Sequence, residues 1–258
     1  MRTELFATQA IVLGLCLWLE SIAPFFMDRA PKERLAHGTR NLTISGINAL
    51  ILTAVFSGMV ASSSDWGALH RFGLLNCFEL PGRLNTFAGF LLFDLWMYLW
   101  HRANHRLPLL WRFHRVHHSD TLMDTTSAVR FHLGEMAIST TLRLAVIPLL
   151  GISLKNLMLY EIVLGPVILF HHSNIALPET WDRRMRLLVV SPNMHRVHHS
   201  DIPDETNSNY SSVLSFWDKL MGTYRKRETL SIRYGLKEFT GPRWQSIPGM
   251  LINPFVHP

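Results

Sequence analysis

The sequence predicts an all-α integral membrane protein, a bundle of four to five membrane helices with a histidine-rich helical cap on the cytoplasmic side. Three observations carry this prediction. Of the 258 residues, 48% are hydrophobic and only 17% are charged, whereas soluble domains are charged at roughly 25% of positions. The apolar residues are gathered in long blocks. Most of the 14 histidines are gathered in spaced clusters that follow the ends of those blocks.

Five apolar blocks follow one another along the first two thirds of the chain. A membrane-spanning helix needs about 20 mostly apolar residues, and the first two blocks meet this requirement alone. We interpret the first as a retained helix, since no small-x-small cleavage site follows it. The third block is slightly short but is also interpreted as a span. The last two predict a hairpin of helices that crosses the membrane or only re-enters it. The blocks are Leu5–Phe26, Leu42–Ala61, Leu84–Trp100, Met136–Leu150 and Leu157–Phe170.

Basic residues are unevenly distributed among the segments that join these blocks. They accumulate in 28–41, which includes Arg29, and in 101–115 and 183–186, whereas 62–83 contains only Arg71 and Arg83. Lys and Arg mark cytoplasmic loops, so we expect the N-terminus outside and the segments after the third block and after the hairpin in the cytoplasm. The net charge of +6 is then explained by topology and by contact with anionic lipid. A nucleic-acid partner is not expected.

Most of the histidines fall into three clusters with helical spacing. Residues three or four apart share one face of a helix, so each cluster can direct its imidazoles at one point. Eight imidazoles exceed the four ligands of a single zinc ion, which favours two metal ions in one histidine box. Imidazole alone leaves iron, zinc and copper open. The clusters are His101 and His105; His114, His117 and His118; and His195, His198 and His199.

Further candidates lie near the expected level of this box. Asp94 is an ionisable residue inside an apolar block, which indicates function. It precedes His101 by two helical turns, so we expect it to accept the second N–H of a ligand histidine. His171 and His172 end the hairpin, and one of them could complete the box. His132 is a weaker ligand candidate at the start of the hairpin.

Three histidines have no such neighbours. His37, His70 and His257 are interpreted as surface residues or hydrogen-bonded core residues. The two cysteines lie away from the clusters, and so they contribute neither a disulfide framework nor a thiolate metal site.

Six stretches, in order along the chain, resemble the motifs of the fatty acid hydroxylase/sterol desaturase superfamily, and together they cover about half of the chain, roughly 84–224. Two positions depart from the family pattern: Leu133 stands where proline is usual, and Ser211 stands where glycine is common. The stretches are Asp94–His105, Trp111–Ser119, Arg130–Glu135, His172–Pro178, Pro192–Ser200 and Asn209–Tyr224.

This resemblance implies an integral-membrane, O₂-dependent oxygenase with a histidine-bound dimetal centre, usually di-iron, that hydroxylates or desaturates sterols, fatty acyl chains or related lipids. Zinc is a metal that the isolated protein could carry instead. Asp94, Asn174 and Asn209 would orient the ligands, and His171 would lie beside them. Carried over by position, the ligands would be His101, His105, His114, His117, His118, His172, His195, His198 and His199, with His132 less certain.

The same resemblance divides the chain into N-terminal membrane helices (1–83), a catalytic domain with the histidine clusters (84–224) and a C-terminal tail (225–258). No flavin, haem or iron–sulfur motif occurs in the sequence. Electrons would therefore come from an external protein of the cytochrome or ferredoxin type.

Three other functions remain as alternatives. A histidine-rich metal transporter would place its ligands near mid-membrane, whereas these clusters follow the ends of the apolar blocks. A membrane zinc hydrolase would carry a His-Glu-x-x-His motif, which is not in the sequence. A non-catalytic lipid-binding protein with a degenerate site would be expected to have lost ligands.

Overall fold

The computed structural model describes residues 2–27 and 30–257. Arg29, one of the basic residues used above to orient the chain, lies outside the described residues. The described part is helical and contains no strand, only isolated β-bridges, so the all-α prediction is confirmed. The first six α-helices are α1 (Arg2–Ile22), α2 (Pro31–Leu69), α3 (Gly82–Arg106), α4 (Pro108–His118), α5 (Leu133–Leu150) and α6 (Leu154–His172).

Four of these helices, α1, α2, α5 and α6, are long and apolar enough to cross a membrane. Both helices of the predicted hairpin therefore have the length and composition for a full crossing. Helix α3 is not one of the four, because Asp94 and polar residues near both of its ends lower its mean hydropathy. With 25 residues it is nevertheless about 37 Å long, and it packs on α6, where Asn156 Nδ2 donates to Asn85 Oδ1 at 3.0 Å.

Local sequence explains how the α5–α6 hairpin is closed. Helix α5 begins after His132, whose Nδ1 accepts a hydrogen bond from the Gly134 N–H at 2.9 Å. It ends at Gly151, where φ is +71°, a left-handed conformation that glycine adopts at little cost. Helix α6 then starts at once, with the Ser153 hydroxyl accepting from the Asn156 N–H. The start of α5 and the end of α6 consequently lie at the same end of the bundle.

The other helices bring their ends to that same end. Glu20, near the end of α1, accepts hydrogen bonds from the backbone N–H groups of Thr125 (2.8 Å) and Asn174 (2.6 Å). His37, near the start of α2, contacts Asp120 just after α4. The histidine clusters lie at this end, which we call the histidine end.

The outer faces of α1 and α2 are apolar and exposed. Ile11 is 69% exposed and Leu50 is 75% exposed. The buried core lies instead between α3, α5 and α6, where the rings of Phe93 and Tyr160 meet edge to face at 5.1 Å. Apolar side chains outside and a packed interior are what a helical bundle in lipid requires.

Short helices cover the histidine end. The C-terminal tail packs back on α4: Met250 shares a small core with Ile44 and Val116, and Arg115 Nε donates to Asn253 Oδ1 at 2.8 Å. The short helices that cover the histidine end are α7 (Glu179–Met185), α8 (Pro192–His198), α9 (Pro203–Thr206), α10 (Phe216–Leu220) and α11 (Ile247–Ile252).

Candidate metal centre

Nine histidines meet at the histidine end in two adjacent groups. Within each group the ring nitrogens that could bind a metal lie within 4.8 Å of one another. The groups touch through His118 and His199, whose rings are stacked with centroids 4.4 Å apart. The first group is His101, His105, His114, His118 and His198, and the second is His117, His172, His195 and His199.

The repeated His-x-x-His-His spacing explains how the two groups divide the residues. Helix positions four apart point in nearly the same direction, whereas adjacent positions differ by about 100°. On α4, His114 and His118 therefore face the first group and His117 turns to the second. At α8 the division is reversed, since His195 and His199 belong to the second group and His198 to the first.

Four of the nine rings are fixed by a hydrogen bond from Nδ1. Because Nδ1–H is donated in each case, Nε2 carries the free lone pair of the neutral ring. The acceptors are Tyr210 O for His101 (2.8 Å), Ser208 O for His198 (2.6 Å), Ile168 O for His172 (2.8 Å) and Glu135 Oε1 for His114 (2.8 Å).

The contact between His101 and His198 shows most clearly that the ring nitrogens of this site need a shared partner. Their Nε2 atoms are 3.0 Å apart, although both Nδ1 protons are already donated to carbonyls. Burial, reinforced by the neighbouring His114, lowers the pKa of His101 to about 3, and burial also holds the pKa of His198 well below its ordinary value. A proton therefore does not occupy the gap at neutral pH. Two nitrogens at about 2.1 Å from one metal ion, at 90–110° to each other, lie about 3.0–3.4 Å apart.

Other ring nitrogens of the site also lie close together or lack a hydrogen-bond partner. In the second group, Nε2 of His172 lies 3.1 Å from Nε2 of His117 and 3.0 Å from Nε2 of His195. Among the described residues, both ring nitrogens of His105 and of His118 are buried without a hydrogen-bond partner. Each such orphan group costs about 1–3 kcal/mol. The donor set therefore fits two transition-metal ions of the kind that imidazole binds.

Glu135 is the carboxylate that holds a ring of the first group, and sequence reasoning did not assign it that contact. Its Oε1 accepts from Nδ1 of His114, and Asn104 Nδ2 lies 3.5 Å from the same oxygen. The signal that could have found it is its position in the Arg130–Glu135 motif, at the histidine end of α5. A carboxylate bound to the outer nitrogen of a ligand histidine sets its tautomer and raises its basicity.

Asp94 does not have the orienting role that we expected. It accepts hydrogen bonds from the Tyr160 hydroxyl (2.7 Å), the Trp217 indole (2.9 Å) and the Leu214 N–H (3.1 Å). The helical phase was correct, but seven residues of helix advance about 10 Å, beyond the reach of a carboxylate. Asp94 instead ties α3 to α6, to α10 and to Leu214, which precedes α10.

The two asparagines also hold backbone rather than histidine rings. The Asn174 side chain pairs with both the N–H and the C=O of Phe26 at 3.1 Å each. Asn209 has φ +52° and donates to Met194 O at 2.9 Å and to Arg225 O at 2.8 Å. It thereby fixes the residues on either side of it, whose carbonyls accept from His101 and His198.

Two further histidines lie outside both groups. His132 uses both nitrogens elsewhere: Nδ1 accepts from Gly134 N, and Nε2 lies 3.2 Å from Leu251 O. The structure therefore places it at a helix end and outside the two histidine groups. His171 is buried against His195, with ring centroids 4.1 Å apart, beside the second group.

His37, interpreted above as a surface residue or a hydrogen-bonded core residue, is the latter and lies at the centre of a buried polar network. Its Nε2 is 2.8 Å from Asp120 Oδ1 and its Nδ1 is 2.9 Å from Asp124 Oδ2. Arg130 Nη1 approaches the same cluster through Asn41 Oδ1 at 3.3 Å. The network joins α2 to the segment that follows His117 and His118 at the end of α4.

A cavity of about 560 Å³ leads from the spaces between the membrane helices to the histidines. Its walls come from α1, α2, α5 and α6 and include Leu13, Leu52, Leu164 and Ile168. Its inner end presents rings of both groups, namely His101, His114, His117, His172 and His195.

Comparison with known proteins agrees with this geometry. The family model for fatty acid hydroxylase matches residues 86–223. The ornithine lipid hydroxylase OlsE of Rhizobium tropici is 31% identical over 149 residues, 57% of this chain and 43% of that protein. The alkylglycerol monooxygenase of Danio rerio is 28% identical over 241 residues, 88% of this chain and 46% of that protein. A cholesterol 25-hydroxylase-like protein of Danio rerio is 33% identical over 152 residues, 56% of this chain and 59% of that protein.

The chain spans about half the length of these curated relatives. No solved structure matches it. The family match covers more than half of the chain and contains all nine histidines of the two groups. The resemblance inferred from the sequence motifs is thus confirmed, and the chain belongs to the fatty acid hydroxylase family.

Proposed function

We propose that this protein is a membrane-bound, O₂-dependent oxidoreductase that hydroxylates a C–H bond of a lipid and holds two iron ions in its two histidine groups. One observation carries the proposal: the cavity between the membrane helices ends on ring nitrogens of both groups. A lipid chain in this cavity would bring a carbon to the metal centre without leaving an apolar environment.

Oxidation of a lipid C–H bond explains why the protein would need a metal. An unactivated C–H bond is not broken by acid–base side chains, and redox-active iron in this site would supply O₂ activation. In the overall reaction one oxygen atom enters the C–H bond and the other leaves as water, with two electrons and two protons consumed. In the alternative, desaturation, two hydrogens leave the lipid and both oxygen atoms end in water.

The chain's own residues would hold and orient the reacting groups. The nine histidines bind the ions, and Glu135 and three backbone carbonyls fix four of the rings with Nε2 facing inward. The apolar cavity walls would position the lipid carbon and exclude water. The names of the relatives, an ornithine lipid hydroxylase and an alkylglycerol monooxygenase, support the same class of reaction for this chain.

Electrons would come from an external cytochrome- or ferredoxin-type protein. Trp111 supports an entry point on the surface of the histidine end. Its half-buried ring contacts His105 and His118, with centroids 5.0 and 5.5 Å apart, and Arg106 and Arg112 lie close to it in the chain. These charges suit an acidic redox partner.

We further propose a multi-pass topology with the histidine end in the cytoplasm. The helices alternate in direction, so the basic segments 30–41, 101–115 and 183–186 all lie at the histidine end. The positive-inside rule then gives the orientation. The metal-transporter alternative is disfavoured, because the histidines lie at helix ends and not at mid-membrane.

The test is lipid mass spectrometry of cells grown under ¹⁸O₂, with the wild-type protein, with His198→Ala and with no protein. We expect one lipid class to gain one heavy oxygen atom only with the wild-type protein. Loss of two hydrogens without oxygen gain would reassign the reaction to desaturation. No change in any lipid, or oxygen derived from water, would overturn the proposal.

A further inference from the structure

Two opposite charges meet inside the predicted membrane spans. Arg143 lies near the middle of α5 and Glu161 near the middle of α6, and Arg143 Nη1 donates to Glu161 Oε1 at 2.8 Å. Both residues line the cavity, and their side chains are 22% and 26% exposed. Ionisable residues within membrane spans are costly, face the bundle interior or a cavity, and usually mark a binding or transport function.

The pair has hydrogen-bonding capacity that the protein leaves unused. The Arg143 guanidinium has five N–H donors. Its Nη2 lies 3.2 Å from the Met97 sulfur, a weak acceptor, and its Nε has no partner among the described residues. A pair that only joined two helices would be expected to satisfy these donors within the protein. Nε is buried, so the remaining N–H groups of the two Nη atoms and the second carboxylate oxygen of Glu161 are the donors and the acceptor left for whatever occupies the cavity.

The pair lies at a defined distance from the histidine end. Glu135, Ser139 and Arg143 are four residues apart, line one face of α5 and border the cavity. Eight residues of helix separate Arg143 from Glu135 by about 12 Å, and Glu135 holds His114. On α3, Met97, which Arg143 contacts, lies one turn before His101.

We infer that the Arg143–Glu161 pair is a polar anchor that binds a neutral hydroxyl group at the end of the lipid substrate remote from the carbon that is oxidised. This inference rests on the proposed function and assigns its substrate class. A hydroxyl can accept from Arg143 and donate to Glu161 at once. The pair carries no net charge, so a carboxylate or phosphate would leave an excess negative charge in a low-dielectric site.

The geometry also limits where oxidation occurs. An extended chain advances about 1.2 Å per bond, which follows from about 3.6 Å per three-bond residue. A separation of about 12 Å between the anchor and the histidine end therefore corresponds to roughly ten bonds. The apolar end of the substrate would enter first, and its hydroxyl would be bound part-way across the membrane.

The test is equilibrium binding without turnover, using the purified full-length protein in lipid nanodiscs without reductant. The probes are two matched pairs, tritiated 1-hexadecanol with its methyl ether and cholesterol with its methyl ether. Loss of a hydrogen bond to a charged group weakens binding about tenfold or more, so we expect at least this preference for the alcohol in one pair. No preference in either pair overturns the inference. Tighter binding of hexadecanoate than of hexadecanol overturns the assignment to a neutral group.

A double variant, Arg143→Met with Glu161→Met, removes the charges together and leaves no buried ion unpaired. We expect it to bind each alcohol and its ether equally. The matched control is Thr141→Val on the exposed side of α5, where the Thr141 hydroxyl donates only to Ala137 O, and it should keep the preference. A preference retained by the double variant overturns the inference. If the double variant does not fold, the alcohol–ether comparison on the wild-type protein still decides.

Failure of the anchor and failure of the proposed function are distinguishable. The binding experiment involves no oxygen chemistry, and the ¹⁸O₂ experiment does not depend on how the hydroxyl is held. Oxygen incorporation with no alcohol preference leaves the proposed function intact and removes the anchor.

Discussion

Glu135 Oε1 lies 2.8 Å from Nδ1 of His114, and both side chains are buried. This carboxylate fixes the ring so that Nε2 points into the first histidine group, where it has no hydrogen-bond partner among the described residues. The start of α5 is thereby joined to the first histidine group across 21 residues of chain.

Replacing Glu135 with Gln should weaken metal binding in the first group. An amide oxygen can still accept from His114, but it lacks the charge that raises the basicity of the ring, and loss of such a partner costs about 10–100-fold in metal affinity. Competitive titration against a chelator measures this change. Glu79→Gln, at an exposed position, is the control and should match the wild-type affinity. Equal affinities in all three proteins would contradict the orienting role of Glu135.

Replacing Asp94 with Asn should lower stability and leave the metal content unchanged. Asp94 accepts from three donors, and an amide would place N–H groups against at least one of them. We expect a loss of about 2–4 kcal/mol in the free energy of unfolding, measured by thermal unfolding in detergent. Metal loss at unchanged stability would instead restore the orienting role that the sequence predicts.

Replacing Gly165 with Leu should obstruct the cavity. Gly165 lines it on α6, and a Cβ there would meet the flexible Gln9 side chain at 2.6 Å. We expect loss of lipid product with full metal content. Gly14→Leu on α1, where a Cβ has nothing within 4 Å, is the matched control and should retain product. Full product formation by Gly165→Leu would show that the substrate does not use this cavity.

Much of the site follows from local sequence patterns, because helical periodicity and hydropathy act over a few residues. The spacing of His114, His117 and His118 is enough to predict convergent ligands, and the apolar blocks predict the long helices. The acceptors of these rings depend on the tertiary path of distant segments. The carbonyl oxygen of Tyr210 accepts from His101, which is 109 residues away in the chain. Every residue has a backbone carbonyl, so the sequence does not show which one accepts.

The prediction for Asp94 was wrong for the same physical reason. Asp94 was placed on the correct face of its helix, but axial distance decides hydrogen bonding, and its partners come from α6 and the 214–217 segment. The sequence allows a hydrogen-bonded core role for His37 but does not identify its partner, because Asp120 is 83 residues away in the chain. Such long-range pairs are fixed by packing and are not visible in spacing.

The proposed topology can be tested on a native side chain. Cys77 is exposed and lies at the end of the bundle opposite the histidines. We expect a membrane-impermeant maleimide to label it in intact cells, and Cys77→Ala should remove the label, since Cys16 is buried. In the Cys77→Ala background, Asp204→Cys, at an exposed position of the histidine end, should be labelled only after permeabilisation. The reverse pattern would contradict a cytoplasmic metal centre.

The most direct test of the central claim is the metal content of the purified protein, compared with His117→Ala and His198→Ala. His198 belongs to the first group and His117 to the second, so each variant disrupts one group. His70→Ala, at an exposed residue outside both groups, is the control. We expect about two iron ions per chain in the wild-type protein and the control, and a loss of at least one ion together with activity in each variant. A full metal load in both variants, or at most one ion in the wild-type protein, would contradict a two-metal histidine centre.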